Sequence, residues 1–426
     1  MKVYIESYGC TFNKADGQII AGNLKDNNID IVDSIEDADV VIVNTCYVKL
    51  PTENKVTYRI QKLQDEFPDK KIIVGGCMVE IDPEKLDKVG PDCSWIGPHQ
   101  LNKAYDVVTG AYNGEVVREC GFSKEPKVGV SKVVDDSLIH IIQICEGCLG
   151  ACTFCCTRFA RGPLNSYPIA DITEEARKAI ENGACEIQLT AQDTAAFGRD
   201  SGEKLSDLIK EVANLDGDFR VRVGMMHPKN VLNDVDEIID AMKHPKVYNF
   251  IHLPVQSGSD KVLSEMNRGH TLDQYLDIVS RFKNEIPDIT LATDIIVGYP
   301  TENDDDFNET VKLLENIGPS LIHLSKYQHR KGAISSSLPE IPREVMKNRS
   351  KFLSEIKSKI TEDENKELVN SIQNVLVVEK GSKGGFIAKT DSYIPVIVDN
   401  VQLGTFVKVK ITEATATYLK SELLEE

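Results

Sequence analysis

Between residues 138 and 327 six short apolar runs alternate with five longer amphipathic stretches, and few folds accept that pattern. The apolar runs are "LIHIIQI" (138–144), "CEIQLTA" (185–191), "FRVRVGM" (219–225), "YNFIHLPV" (248–255), "ITLATDIIV" (289–297) and "SLIHLSKY" (320–327). They are short and rich in Ile and Val, as strands covered on both faces are. The stretches 172–182, 204–214, 230–243, 271–285 and 304–317 carry the apolar spacing of helices. Strands joined through helices run parallel. Six such units predict a partial (β/α)6 barrel, with chemistry at the carboxyl ends of its strands.

Two further regions flank this one. The first 110 or so residues repeat the alternation with "KVYIESYG", "ADVVIVNT" and "KKIIVGG", which predicts an open parallel α/β sheet. After a long charged helix over 343–368 the period shortens. "IQNVLVVEKG", "GGFIAKT", "IPVIVDN" and "GTFVKVKITEA" are short strands punctuated by Gly, Asp and Asn, the pattern of a small β-barrel the size of an oligonucleotide-binding one. The polar stretch 120–132 reads as a linker. The expected domains are therefore 1–125, 136–366 and 367–426. The opening "MKVYIESYGC" lacks the apolar core of a signal peptide, and no apolar run approaches the length of a membrane span. A cytoplasmic protein without a membrane partner is expected. The net charge of −18 argues against bulk electrostatic binding of nucleic acid but permits a local basic surface.

Eleven cysteines in a reducing compartment point to metal ligands or catalytic groups rather than disulfides. Five of them fall in "CEGCLGACTFCC" (145–156), just past the first strand of the predicted barrel. Cys148, Cys152 and Cys155 offer three thiolates, with Gly147 and Gly150 letting the backbone wrap a ligand. Three thiolates leave one iron of a [4Fe–4S] cluster open for a substrate. The competing reading, zinc on Cys145/Cys148 and Cys152/Cys155, has a gap between its pairs that is short for a zinc ribbon. Cys145 and Cys156 then read as small buried residues, and Cys93, Cys120 and Cys185 as structural. Cys10, Cys46 and Cys77 follow the three N-terminal strands at separations of 36 and 31 residues, about one βα unit each. A parallel sheet brings equivalent strand ends to one edge, so these three form a second candidate site.

"GCLGACTFCCTRFARG" resembles the cluster loop of radical S-adenosylmethionine enzymes. With "ESYGC", "VNTC" and "GGCM" before it, "HLPVQSGSDKVLSEMNRGHT" (252–271) and "TDIIVGYPTE" (293–302) after it, and a terminal barrel that resembles the TRAM module, the whole chain resembles the methylthiotransferases. The loop is most similar to the archaeal and eukaryotic branch, which acts on threonylcarbamoyladenosine in transfer RNA. The resemblance implies two [4Fe–4S] clusters, on Cys148/Cys152/Cys155 and on Cys10/Cys46/Cys77. It implies S-adenosylmethionine at the first, cleaved to a radical that takes hydrogen from adenine C2, and sulfur delivered from the second. It also implies a tRNA anticodon stem-loop as partner, an external electron donor such as ferredoxin or flavodoxin, and a sulfur donor that the sequence leaves unnamed. Isopentenyladenosine or a ribosomal protein side chain remain alternative substrates, and a zinc-stabilised RNA-binding protein a third reading.

Gln192, Asp193, Arg222, Gln256, Ser257 and Asp294 lie near strand ends, and the resemblance implies that some of them hold S-adenosylmethionine; a salt-bridged interior competes for Arg222 and Asp294. His252 reads as a packed structural residue. Arg158 and Arg161 flank the cysteine loop and are candidates for phosphate or cofactor carboxylate. Lys326, Arg330 and Lys331 in "KYQHRKG" are a possible phosphate contact or a solvated loop. Lys380, Lys383, Lys389, Lys408 and Lys410 are expected on one RNA-facing side of the terminal barrel.

Overall fold

The computed structural model describes residues 1–134, 138–382 and 384–424. The N-terminal strands are β1 (Lys2–Ser7), β2 (Asp30–Ile31), β3 (Val40–Thr45), β4 (Lys71–Gly76), β5 (Ser94–Ile96) and β6 (Arg118–Glu119). They form one parallel sheet in the order β2-β1-β3-β4-β5-β6. "VVIVNT" of β3 is buried at every position, as a central strand covered on both faces must be. The helices Thr11–Asp26 and Leu50–Glu66 make the crossovers between the central strands.

In the middle region β7 (Ile139–Gln143) is followed by the short hairpin β8 (Cys145–Glu146) and β9 (Asn165–Ser166). Then come β10 (Glu186–Thr190), β11 (Arg220–Val223), β12 (Phe250–His252), β13 (Thr290–Val297) and β14 (Leu321–Lys326). All six predicted strands are present. Two parallel halves, β11-β10-β7 and β12-β13-β14, meet at the bridge Val221–Val247, which gives an open, partial barrel. The outer helices sit where their periodicity placed them, with one difference. The predicted 230–243 helix is two pieces, Pro228–Val231 and Val235–Met242, broken at the polar Asn233 and Asp234. Thr271 and Asn303 close capping boxes on Leu272–Glu285 and Asp304–Ile317, each worth about 1 kcal/mol. The long helix Arg343–Glu367 packs against β14.

Strands β15 (Ile372–Lys380), β16 (Phe386–Thr390), β17 (Pro395–Val398), β18 (Phe406–Ala414) and β19 (Leu419–Leu423) close into a barrel. It docks at the amino ends of the middle strands, opposite the cysteine loop. Tyr393 inserts there, 4.8 Å from the Tyr248 ring and 5.0 Å from Phe250. Lys389 donates to both Glu186 oxygens at 2.9 and 2.8 Å, and Arg220 pairs with Asp391. Lys389 therefore does not face RNA: its charge neutralises the fully buried Glu186. Lys380, Lys408 and Lys410 are exposed, and Lys383 lies outside the described residues. Among the described residues no helix is long and apolar enough to cross a membrane.

Candidate active site

Cys10, Cys46 and Cys77 stand at the carboxyl ends of the adjacent strands β1, β3 and β4. Two glycines make the approach possible. Gly9, at φ 105°, leaves room for Cys46, whose Cβ would lie 2.5 Å from a side chain there. Gly76, at φ 88°, turns β4 into the helix Cys77–Ile81, and a Cβ on it would meet the Thr45 carbonyl at 2.4 Å. Burial pushes the Cys77 thiol up to about 12, and nearby Cys46 and Cys10 add to it against the pull of Arg161. Burial also raises Cys46, with Cys10 beside it. Cys10 thus acts on both of the others and Cys46 on Cys77: the three are close together, and all are free. Burial outweighs Arg161 at both Cys46 and Cys77, and three thiolates gathered here are the donor set an iron–sulfur cluster completes.

The second loop follows β8. Gly147 at φ 83° is pressed against Pro163, where a Cβ would sit 2.0 Å from the carbonyl oxygen. The Gly150 N–H donates to Cys148 Sγ at 3.1 Å, and Arg268 Nη1 to Cys152 Sγ at 3.3 Å. Burial pushes Cys148 to about 12, with Cys155 and Cys152 contributing. Donors aimed at sulfur are the usual surroundings of cluster ligands. The His227 ring lies 3.9 Å from Cys152 Sγ. Burial, with Arg268 next, pushes that imidazole down to about 2, so it is neutral. Cys145 and Cys156 are buried, as expected.

The two loops adjoin. Helix Thr157–Arg161, which leaves the cysteine loop, packs on helix Cys77–Ile81, and Cys156 shares a core with Cys77. A buried ionic knot ties them. Arg161 Nη1 reaches Asp16 at 2.6 Å and Glu146 at 3.0 Å. Lys127 reaches the same two carboxylates at 2.9 and 2.8 Å. Two cations face two carboxylates, all under 5% exposed. Burial alone lifts the Asp16 carboxyl, but Arg161 and Lys127 outweigh it and hold it below its ordinary value. Arg161 is thus a structural tie and not a phosphate ligand. Arg330 pairs with the buried Glu53, and Lys331 bonds Asp82 and Glu84 at 3.1 and 3.0 Å. Both clamp the barrel to the N-terminal sheet, which corrects the expected phosphate contact. Arg158 and Lys326 remain exposed.

The structure divides the expected cofactor residues. Gln192 accepts from the Gly147 N–H at 2.7 Å and so fixes the cysteine loop. Asp193 spends its oxygens on the N–H groups of Ala195 and His227 and on Asn230. Ser257 faces Thr310 and the Ser259 N–H, outside the barrel. These bonds tie Asp193 and Ser257 into the surrounding loops. Gln256, at φ 77°, bridges to Ile295 beside Asp294. Arg222 lies over Phe250 and Tyr393 at 5.0 and 5.2 Å, stacked on the barrel floor rather than salt-bridged. The His252 Nε2–H donates to Asp294 Oδ1 at 2.9 Å, which makes it a hydrogen-bonded structural residue of the barrel interior. Arg268 and His227 were missed. Arg268 stood inside the quoted "MNRGHT", but only the fold shows which sulfur it meets.

Family models match three parts of the chain: "Uncharacterized protein family UPF0004" over residues 2–97, "Radical SAM superfamily" over 142–314 and "TRAM domain" over 366–424. The chain is 57% identical to a probable threonylcarbamoyladenosine tRNA methylthiotransferase of Methanothermobacter thermautotrophicus, covering 99% of both chains. It is 35% identical to the threonylcarbamoyladenosine tRNA methylthiotransferase of Homo sapiens, covering 99% of this chain and 74% of that one. Among solved structures, the radical S-adenosylmethionine methyltransferase TsrM of Kitasatospora setae, with cobalamin and a [4Fe–4S] cluster bound, superposes with a TM-score of 0.59 at 14% identity. That likeness covers 79% of this chain and 74% of that one, and shows a shared fold.

Proposed function

The chain belongs to the threonylcarbamoyladenosine tRNA methylthiotransferase family, and on that premise we propose that it converts N6-threonylcarbamoyladenosine, 3′ of the anticodon at position 37, to its 2-methylthio derivative. The observation that carries this reading is the pair of free cysteine triads on adjoining elements, in a chain alike over its full length to enzymes of that name. The enzyme uses two [4Fe–4S] clusters and S-adenosylmethionine. Cys148, Cys152 and Cys155 would hold one cluster and Cys10, Cys46 and Cys77 the other. When bound, these groups supply hydrogen abstraction from an unactivated carbon and the sulfur that replaces that hydrogen.

The chain's own residues position the reaction. Gln192, through Gly147, and Arg268, on Cys152, fix the cysteine loop over the mouth of the barrel. The Asp16–Arg161–Glu146–Lys127 knot holds the N-terminal sheet edge against that loop, so both triads address one space. The terminal barrel, seated on the floor by Tyr393 and Lys389, presents Lys408 and Lys410 to RNA. Within this reading, 1–125, 136–366 and 367–426 are the working units, the anticodon stem-loop is the part of the tRNA engaged, and ferredoxin or flavodoxin supplies electrons in the cytoplasm. Mass spectrometry of tRNA nucleosides from a strain lacking the gene tests the proposal. Loss of the methylthio derivative with threonylcarbamoyladenosine accumulating is expected, and an unchanged nucleoside profile overturns it.

A further inference from the structure

The barrel interior holds a cluster that the cysteines do not explain. On β13 the side chains of Leu291, Ile295 and Val297 join the core under the outer helices, and Thr293 bonds Tyr275 of helix Leu272–Glu285. Alternation therefore turns Asp294 inward. There it bonds His252 of β12 at 2.9 Å. The rings of His252 and His323 on β14 are 5.4 Å apart, and polar atoms of all three residues lie within 4.8 Å of one another.

Two lysines look onto this cluster from different parts of the chain. Lys49 caps helix Leu50–Glu66, three residues beyond Cys46, and is exposed. Lys357 sits on helix Arg343–Glu367, which packs against β14. Neither ammonium has a carboxylate or hydrogen-bond partner among the described residues. Burial first, and then Lys49, push the Lys357 ammonium down. Burial lifts the Asp294 carboxyl, and His252, His323 and Lys49 together bring it below its ordinary value. Two unpaired cations thus crowd a place with one carboxylate, which is already bonded to His252. In a chain of net charge −18 such a place is short of an anion. Two imidazoles and a carboxylate also make a donor set for a divalent cation, but two nearby ammonium groups repel one.

We propose that Lys49, Lys357 and the His252–Asp294–His323 cluster form the subsite for the carboxylate-bearing arm on N6 of the target adenosine. The lysines pair with the threonyl carboxylate. The imidazoles and Asp294 take the hydroxyl and amide groups of the arm. This rests on the family reading and deepens it, since it names what tells the threonylcarbamoyl arm from an apolar one: a site built for polar groups rejects a ligand that leaves them unpaired. The position of Lys49 fits the task, because Cys46 and the barrel interior are the two places a target base must address together.

The test uses reconstituted full-length enzyme and two anticodon stem-loop RNAs that differ only in the arm, the free acid and its methyl ester. Wild type should prefer the acid by about 10- to 100-fold in kcat/KM, the worth of a charged hydrogen-bonded contact. The double variant K49Q/K357Q should bring that ratio near unity, and K49R/K357R should keep most of it. Retention of the acid preference in K49Q/K357Q overturns the subsite, and so does an equal loss on both RNAs. Failure of the substrate reading looks different. Wild type itself would then leave the acid RNA unmodified while acting on an isopentenyl RNA, and the subsite would fall with it.

Discussion

Replacing Arg161 with Leu should destabilise the chain by about 3–5 kcal/mol, the cost of removing one partner from a buried ion pair. The structure sets that figure. Arg161 and Asp16 are essentially inaccessible, and their 2.6 Å contact cannot be replaced by water. The variant leaves two buried carboxylates facing Lys127, with only the neutral Gln143 amide as a further donor to Asp16. It also deprives Asn13 of a donor at 3.1 Å and Phe12 of a stacked guanidinium at 4.8 Å. Trp95, the only tryptophan, lies buried in β5 of the N-terminal sheet and reports its unfolding directly. With a urea dependence of about 2–3 kcal/mol/M, the midpoint read from Trp95 fluorescence should fall by about 1–2.5 M. The sign with pH follows from the same groups. In the wild type Asp16 is held below its ordinary value, so its contribution is present above that value and fades as pH falls through it. Without Arg161 the effect of burial gains on Lys127 and the Asp16 carboxyl rises, so this part of the acid-dependent loss should shrink. Combining R161L with D16N should recover part of the loss, since Lys127 then faces Glu146 as a single buried pair. A midpoint for R161L within about 0.2 M of wild type would refute the knot as the tie between the two cysteine loops.

Reconstituted enzyme should carry about eight irons per chain and the triple variant C148A/C152A/C155A about four, measured by iron and sulfide analysis. Cys46→Ala should retain reductive cleavage of S-adenosylmethionine while yielding no methylthio product by nucleoside mass spectrometry. Lys408→Ala with Lys410→Ala should weaken tRNA binding mildly and lower its salt slope by about one or two, read from binding isotherms at several salt concentrations. Deleting 370–426 should do more than weaken RNA binding: it strips Lys389 and Tyr393 from the buried Glu186, so the catalytic barrel itself should melt earlier in a thermal scan. Glu175 is pulled to about 2, burial opposing and Lys132, His140 and the Gly129 N–H prevailing. Its contribution, about 3 kcal/mol, should be present above its ordinary value near 4.5 and vanish as pH falls toward 2, and Glu175→Gln should abolish that part of the acid limb of the stability profile.

The strands were legible because burial on both faces leaves a continuous apolar run, as "VVIVNT" and "LATDIIV" do. The convergence of Cys10, Cys46 and Cys77 was legible because a parallel sheet of sequential βα units repeats its geometry. What escaped were contacts between regions far apart in the chain. Arg161, Arg330 and Lys389 read as candidates for phosphate, cofactor or RNA, because nothing local marks a charge whose partner is Asp16, Glu53 or Glu186. Asp193 and Ser257 sat at strand ends, but the neighbouring N–H groups they accept from are not marked in the sequence. His252 looked like core, and only its register beside β13 turned it toward Asp294.

The most direct measurement follows one atom. An anticodon stem-loop bearing threonylcarbamoyladenosine with deuterium at adenine C2 is incubated with reconstituted enzyme, S-adenosylmethionine and reductant. Deuterium should appear in 5′-deoxyadenosine in step with the 2-methylthio nucleoside, and no methylthio nucleoside should form in Cys46→Ala. A methylthio product formed while the 5′-deoxyadenosine stays unlabelled, or formed without Cys46, would contradict the account.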